Sequence, residues 1–493
     1  MTNSTLKAVR TGIVLRPDCK RVFFRPFNLA NRERVLKIIA RVMDLSEVAA
    51  VAESANVMLA FDERHHKLRG YFLRRFEQVR DLLITDEPMS EARRLLLGAY
   101  FTQEYSLEAA ALFNPSMVPH PDQSGLPVGS VRFVLSLRAT GEGHVSSIVF
   151  HTGVVDREAH ITLKEPSHQV TAAEVHPNSS YEKKLFEKKL FELGLLDAFA
   201  QGLLALLDET FAFAELNRVV ARALRAHRAI PAEQQETARS ILALARANYE
   251  VRFDPEQRFS ERVIFPNSPS ESKGIEDARF VAFREDDEST TYYATYTAFD
   301  GQVVLPQLLE TKDFLHFKIC TLNGLAVRDK GMALFPRKIH GRYAMLSRYD
   351  GENLYLMYSD MPQFWHEKQI LLRPTYPWEF VQIGNCGSPI ETEAGWLMLT
   401  HGVGAMRQYS IGATLLDRDD PSRVLGRLPE PLLTPNENER EGYVPNVVYC
   451  CGAMIHAGQL ILPYAMSDQC SSFATVSLAE LLAELLRHPP LNL

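Results

Sequence analysis

The spacing of apolar and polar positions divides the chain into three textures. Near the start, two short strand-like runs, GIVL at 12–15 and RVFF at 21–24, are punctuated by Pro17 and Pro26. From Asn31 the period lengthens. In NRERVLKIIARVMDL, Val35, Ile38, Ile39 and Val42 recur at helical spacing, and Asn31 stands where a cap is needed. A second helix is predicted from Ser46 and a third through HHKLRGYFLRRFEQVRDLL. After the break TDEPMS, Ser90 opens a fourth over EARRLLLGAYF. Residues 1–105 therefore read as an N-terminal helical region.

The texture changes at Ser106. ALFNPSMVPHPDQSGLP is turn-rich and leads into SVRFVLSLRAT and HVSSIVFHTGVV, which read as alternating or fully buried strands. Residues 178–248 return to a helical period. KKLFEKKLFELGLLDAFAQGLLALLDETFAFAELNRVVARALRAHRAI repeats apolar positions at i, i+3 and i+4, and a further helix follows Pro231. This insertion is expected to pack as an antiparallel helix pair. From Val251 onward short strands recur between Asp, Asn and Gly turns, among them RFVAFRE, TTYYATYTAF, GMALFPRKI, NLYLMYS, WLMLTHGV, VPNVVYCCGAMI and QLILPYAM. Many short, evenly spaced strands suggest a sandwich, barrel or propeller, and their modular repetition with few long connections favours a propeller. The tail ATVSLAELLAELLRH reads as a short amphipathic helix.

Composition adds exclusions. The chain has 493 residues, 46% of them apolar, with room for a sizeable core. Net charge is −7 and no long basic run occurs, which argues against nucleic acid and against an anionic membrane surface. The six cysteines lack CxxC or metal-type spacing, so buried free thiols are expected and no metal site is predicted. The N-terminus has no apolar signal core, and no run approaches the roughly 18 apolar residues of a membrane span. The expectation is a soluble, cytoplasmic protein. The apolar faces of the insertion leave self-association into a homo-oligomer open.

The chemistry centres on GIEDARF at 274–280. Two acids and an arginine stand at the lip of an apolar strand. Such a group suits proton transfer, because Arg279 can hold one carboxylate charged while burial raises the other. Taken alone, the cluster reads first as a salt-bridged strand edge. Other polar residues interrupt apolar strands in the same way: Asn114, Ser116, Arg138, Lys330, Arg348, His401, Tyr409, Asn446 and Asp468. In a propeller such positions converge on one pocket, with carboxylates and Asn suited to a polyhydroxylated substrate and Lys330 and Arg348 to an oxyanion.

GIEDARF resembles the Glu-Asp-Pro-Arg motif of glycoside hydrolase family 130, the mannoside phosphorylases and related β-mannosidases. The blocks FNPS, KGMALFPRKIHGRYAMLSR, WEFVQIG, GWLMLTHGV, YSIGATLLDRDDPSRVLGR, VPNVVYCCGA and PYAMSD follow in the family's order. The likeness covers roughly residues 106–180 and 250–493. It implies a mainly β fold: a five-bladed β-propeller over 106–493, interrupted by the 178–248 insertion and preceded by the helical layer. It implies Asp277 as general acid, passing its proton through the 3-hydroxyl of a bound mannose while inorganic phosphate attacks the anomeric carbon from the opposite face. A β-1,2- or β-1,4-linked manno-oligosaccharide would then give α-mannose 1-phosphate, with phosphate as co-substrate and no other cofactor. The implied sugar contacts are Asn114, Ser116, Arg138, Glu276, Arg279, His401, Asn446 and Asp468. Lys330, Arg348 and Tyr409 would hold phosphate.

Three departures from the family pattern bear on the reaction. Gln382 stands where many phosphorylases carry a Lys, Ala278 replaces the motif's Pro, and Cys386-Gly387-Ser388 replaces a segment richer in Gly and Pro. Loss of a cation at 382 keeps an inverting β-mannosidase on the same scaffold as an alternative. A non-catalytic carbohydrate-binding propeller is the third reading.

Overall fold

The computed structural model describes residues 6–83, 87–177, 180–225 and 231–490. Parts of the predicted turn at 85–90 and of the 178–248 insertion, including residues 226–230, lie outside these.

The fold is mainly β. Among the described residues, five antiparallel meanders follow one another along the chain. The first comprises Ala111–Pro119, Val131–Thr140, Ser146–Val155 and Ile161–Leu163. The second comprises Gly274–Arg284, Thr290–Phe299, Val304–Thr311 and His316–Thr321. Ala333–Leu334, Tyr343–Ser347, Leu354–Ser359 and Gln369–Leu372 form the third. The fourth is Gln382–Asn385, Gly395–Val403, Tyr409–Leu416 and Val424–Arg427. The fifth is Val448–Tyr449, Gln459–Met466 and Cys470–Ser477, and its last strand pairs with Val9–Leu15 from the far end of the chain. The opening strand thus belongs with the last meander, which the reading of 1–105 as a helical region did not foresee.

A period of two with both faces buried explains the strands. In Gly395–Val403, Trp396 and Met398 pack on the third meander, while Leu397 and Leu399 pack on the fifth. Each meander shares an apolar core with the next. Phe150 and Phe280 join the first to the second, and Phe283 and Met345 the second to the third. Phe133 and Phe473 join the first and the fifth. Backbone contacts run the same way. Arg284 bridges Arg337, Tyr409 bridges Val447 and Ser116 bridges Gly452, so the fifth meander abuts the first.

ALFNPSMVP, read above as a turn-rich lead, is a buried strand. A bulge between Phe113 and Ser116 absorbs the Asn-Pro pair without ending it. Conversely, GMALFPRKI and VPNVVYCCGAMI contribute only short strands, Ala333–Leu334 in the one and Val448–Tyr449 and Met454–His456 in the other.

The N-terminal helices start at the expected caps. Asn31 accepts from Arg34 N before α1 (Arg32–Met43), Ser46 from Ala49 N before α2 (Glu47–Phe61), and Ser90 from Arg93 N before α4 (Glu91–Tyr100). Between the last two lies α3 (Leu68–Val79). Buried Arg93 closes the end of α1 by donating to Val42 O at 2.6 Å and Met43 O at 3.0 Å.

The insertion is not a helix pair. It holds α5 (Lys183–Glu192), α6 (Ala198–Ala205), α7 (Phe213–Arg225) and α8 (Ala232–Arg246) around a core of its own. Gly194 at φ +70° breaks the long apolar run, and Asp197 caps the next helix by accepting from Ala200 N. The flanking strands Glu174–Pro177 and Tyr249–Arg252 add to the outer edge of the second meander. Lys189 Nζ donates to Leu322 O at 2.8 Å, and Glu192 accepts from Gly324 N at 2.9 Å. These two bonds tie α5 to the loop that leads to Lys330. The C-terminal α9 (Leu478–Arg487) buries Leu481 and Leu485 in the core between the fourth and fifth meanders. Among the described residues no helix is long and apolar enough to cross a membrane.

Candidate active site

Two bulges aim the central side chains. The Gly274–Arg284 strand shifts register between Glu276 and Arg279, and Ala111–Pro119 does so between Phe113 and Ser116. Within these bulges Asp277 sits at φ +54° and Asn114 at φ +50°, the left-handed region that a non-glycine residue rarely adopts. The bulges bring the two side chains together: Asn114 Nδ2 donates to Asp277 Oδ1 at 2.6 Å. Arg138, from the second strand of the first meander, spans both acids. It donates to Glu276 Oε1 at 2.9 Å and lies 3.5 Å from Asp277 Oδ1. Lys330 Nζ reaches Glu276 Oε2 at 3.3 Å. The group is mostly buried and reaches solvent at one end: the Asp277 side chain is 15% exposed and that of Lys330 40%.

Arg279 and Ser116 stand behind these acids. Arg279 is buried; it donates to the Asp277 carbonyl at 3.0 Å and to Tyr449 Oη at 2.6 Å. It therefore fixes the bulge and supplies charge from below. Ser116 Oγ accepts from Phe280 N at 3.0 Å, so its hydroxyl oxygen also braces the strand.

A second cluster adjoins the first through Tyr449, whose ring centroid lies 4.8 Å from that of His401. Arg348 Nη1 lies 3.2 Å from His401 Nε2. Burial, then the charges of Arg348 and Arg279, push His401 well below its ordinary value, so it is neutral and Nε2 accepts. The Gln382 amide is satisfied with its oxygen toward Arg348 Nη1 and its nitrogen donating to Gly351 O at 3.2 Å. Tyr409 stacks on His401 at 6.0 Å. Glycine at 384 allows the close approach of Arg348 and His401, since a Cβ there would lie 2.4 Å from both Arg348 Cδ and His401 Cε1.

The acids are driven in opposite directions. Burial opposes ionisation of Asp277, but Arg138, Arg279, Lys330 and the Asn114 hydrogen bond outweigh it and hold the carboxyl below the usual range. Asp468 is pushed up to about 7, first by burial and then by the charge of Asp277, against the pull of Arg138 and Arg407. Asp468 and the preceding Ser467 both adopt positive φ, at +52° and +48°.

Of the residues singled out from sequence, Asn114, Arg138, Glu276, Asp277, Arg279 and Lys330 form one connected network. Arg348, His401 and Tyr409 form the second. Asp468 joins the first through charge. Asn446 takes part through its backbone: its carbonyl accepts from Tyr409 N at 3.0 Å, and among the described residues its side chain makes no hydrogen bond. Two members were missed. Tyr449 is hidden in the apolar run VVYCC, and Arg407, whose Cζ lies 5.6 Å from the Tyr409 ring centroid, sits in a surface turn with no motif around it.

Carboxylates, an amide and arginines thus gather beside the Arg348–His401 pair on a mainly β scaffold. Sequence comparison identifies the family. The model of glycoside hydrolase family 130, described as β-1,4-mannooligosaccharide phosphorylase, matches residues 217–487. The chain belongs to this family and is an enzyme of carbohydrate metabolism. A 1,2-β-oligomannan phosphorylase of Thermoanaerobacter sp. (strain X514) is 31% identical over 232 residues, 45% of this chain and 75% of that protein. A β-1,2-mannobiose phosphorylase of the same organism is 34% identical over 236 residues, 43% of this chain and 70% of that protein. The structure of a β-1,2-mannobiose phosphorylase from Listeria innocua, in complex with β-1,2-mannobiose, aligns over 76% of this chain and 92% of that one, with 21% identity and a TM-score of 0.45. The family match starts after the first meander. Asn114, Ser116 and Arg138 thus lie outside it and join the site through the fold.

Proposed function

We propose that the protein is an inverting phosphorylase of β-mannosides, acting on β-1,2- or β-1,4-linked manno-oligosaccharides, with Asp277 as general acid. The observation that carries this reading is the juxtaposition of the Asp277 network with the buried Arg348–His401 pair, a proton donor facing an oxyanion cradle. Asp277 protonates the 3-hydroxyl of the mannose, which passes its own proton to the glycosidic oxygen. The bond from that oxygen to the anomeric carbon breaks as a phosphate oxygen bonds to the carbon from the opposite face. The products are α-mannose 1-phosphate and the shortened mannoside. Phosphate is nucleophile enough to need no protein base.

Asp277 must be protonated to serve. In the free site its cations hold it ionised. Phosphate bound by Lys330 and Arg348 offsets their charge, and a sugar over Asp277 excludes water. Both effects raise the carboxyl toward the range of a working acid. Asn114, Arg138, Asp468 and Glu276 bind the sugar hydroxyls, and Tyr409 and His401 complete the phosphate side. Arg279 and Ser116 hold the bulge that aims Asp277, and Asn446 positions Tyr409.

The scaffold in this reading is a five-bladed β-propeller, each meander one blade. It is supported by the succession of shared cores and by the contact of the fifth meander with the first. Val9–Leu15 belongs to the fifth blade, and residues 16–105 and 178–248 are attachments to the propeller. Hydrolysis is the second reading, favoured by Gln382: the residue facing Arg348 is neutral and occupies one of its donors.

Incubation with β-1,2- and β-1,4-mannobiose, with and without phosphate, tests the proposal. The expected result is phosphate-dependent α-mannose 1-phosphate, seen by phosphorus NMR. Free mannose formed regardless of phosphate establishes hydrolysis instead. No turnover of any mannoside, with Asp277→Asn binding sugar as well as wild type, establishes a binding module. On the phosphorylase reading Arg348→Ala raises the phosphate KM far more than the mannoside KM, and equal effects on both refute the phosphate role.

A further inference from the structure

We propose a second anion-binding site, apart from the Asp277 network, in the cleft between the Val22–Pro26 strand, α8 and residues 265–272. Its ligand is the oxyanion of a small acidic sugar, phosphorylated or carboxylated. The cleft has a volume of about 500 Å³, and its lining includes Arg25, Arg246, Phe265, Asn267, Ser268 and Ser272. That volume is in the range of pockets that enclose small ligands.

The two arginines carry the inference. Arg25 Cζ lies 5.1 Å from the Tyr105 ring centroid and 4.7 Å from that of Phe265, while Arg246 Cζ lies 5.3 Å from that of Phe213. Both guanidinium groups are therefore held against aromatic rings before any ligand arrives. Among the described residues neither side chain forms an ion pair or a hydrogen bond. Two pre-positioned cations thus line one cleft in a chain of net charge −7, and among the described residues no acid pairs with either.

The nearest acid in the sequence of the cleft wall does not answer them. Glu271 is fully buried and turned inward. Its carboxylate accepts from Tyr249 Oη, Tyr296 Oη, Asn267 N and Ser268 N, leaving it no part in the cleft. The other polar residues that line the cleft, Asn267, Ser268 and Ser272, are neutral and able to hydrogen-bond. Planar guanidinium forks with amide and hydroxyl groups in the same cleft match a phosphate or a carboxylate.

The cleft also touches the catalytic strand. Ser272 is two residues from Gly274. Val145, which also lines the cleft, precedes Ser146, whose Oγ donates to Ile275 O at 2.9 Å. An occupant therefore sits against the base of the strand that carries Glu276 and Asp277. The oxyanion preference stands on the arginines alone; the sugar part rests on the carbohydrate reading above.

Calorimetric titration of the full-length protein with α-mannose 1-phosphate, glucuronate and neutral mannose tests the site without any turnover. The expected result is an acidic-sugar component that persists in Arg348→Ala and weakens at least tenfold in both Arg25→Met and Arg246→Gln. Neutral mannose should not compete for it. Arg246 is exposed on α8, so Arg246→Gln keeps the fold even if Arg25→Met does not. Tighter binding of mannose 1-phosphate than of glucuronate assigns the oxyanion as phosphate, and the reverse order as carboxylate. The proposal is overturned if no component survives Arg348→Ala, or if the surviving one is unchanged in Arg246→Gln. Neither result bears on whether mannosides are cleaved.

Discussion

At the scale of single residues, the two aspartates divide the chemistry between them. Arg138, Arg279 and Lys330 keep Asp277 ionised in the free site, while the charge of Asp277 helps keep Asp468 protonated near neutrality. Asp277→Asn removes that charge, so Asp468 should titrate below about 7, as followed by carbon-13 carboxyl NMR. An Asp468 that still titrates near 7 in the variant rejects the coupling. The same variant should lose about 10²–10⁴ in kcat with little change in mannoside KM, because the amide can still hydrogen-bond the 3-hydroxyl but cannot deliver the proton. Stability carries a further signature. The folded value of Asp468 lies above its unfolded value of 3.8, so the folded protein holds an extra proton between those limits. Its contribution to stability is therefore lost as pH rises from about 4 through 7. Asp468→Asn should flatten that part of the thermal midpoint against pH. Asp277 has the opposite sign: its depressed value stabilises the fold above the ordinary carboxylate range and is lost on acidification.

At the scale of elements, what could be read from sequence was local. Asn31, Ser46 and Ser90 announced their helices because a cap is written within four residues of its effect. The Gly274–Arg284 strand was legible from its apolar run, and GIEDARF from its charges. The bulges at Asn114 and Asp277 were not, since one extra residue breaks the period of two and mimics a turn, as ALFNPS did. Nor did sequence give the packing of Gly384. That glycine lies in Gln382–Asn385 with no positive φ, so its role is close approach and not backbone freedom. Gly384→Ala should therefore keep the fold but push the Arg348 and His401 side chains apart, raising the phosphate KM severalfold while the mannoside KM stays nearly constant. A parallel rise in both constants, or a collapse of the thermal midpoint, shows that the glycine serves the strand and not the cradle.

At the scale of the whole molecule, the pairing least accessible to sequence is the one between the ends. Val9, Arg10, Val14 and Leu15 register with Thr475, Ala474, Ser472 and Ser471, partners that no local pattern connects. Around them Thr11 Oγ1 donates to Phe473 O at 3.0 Å, Ala8 N to Leu432 O at 3.2 Å, and Arg10 pairs with Glu439 at 2.6 Å. The strand therefore covers the edge of the fifth meander and links it to the residues that follow the fourth. Each backbone hydrogen bond contributes about 0.5–1.5 kcal/mol, and burial of Leu15 about 1.5–3 kcal/mol. Several such terms lost together are a large part of a typical domain's net stability. Removal of residues 1–15 should lower the thermal midpoint by many degrees and expose the Cys470–Ser477 edge to pairing between molecules, detected as concentration-dependent association in size-exclusion chromatography. Arg10→Ala removes a two-pronged ion pair whose Glu439 side chain is only 4% exposed, and should cost about 1.5–3 kcal/mol. If the truncated chain melts no lower than Arg10→Ala, the N-terminal strand is a surface ornament, and the fifth meander closes on its own strands.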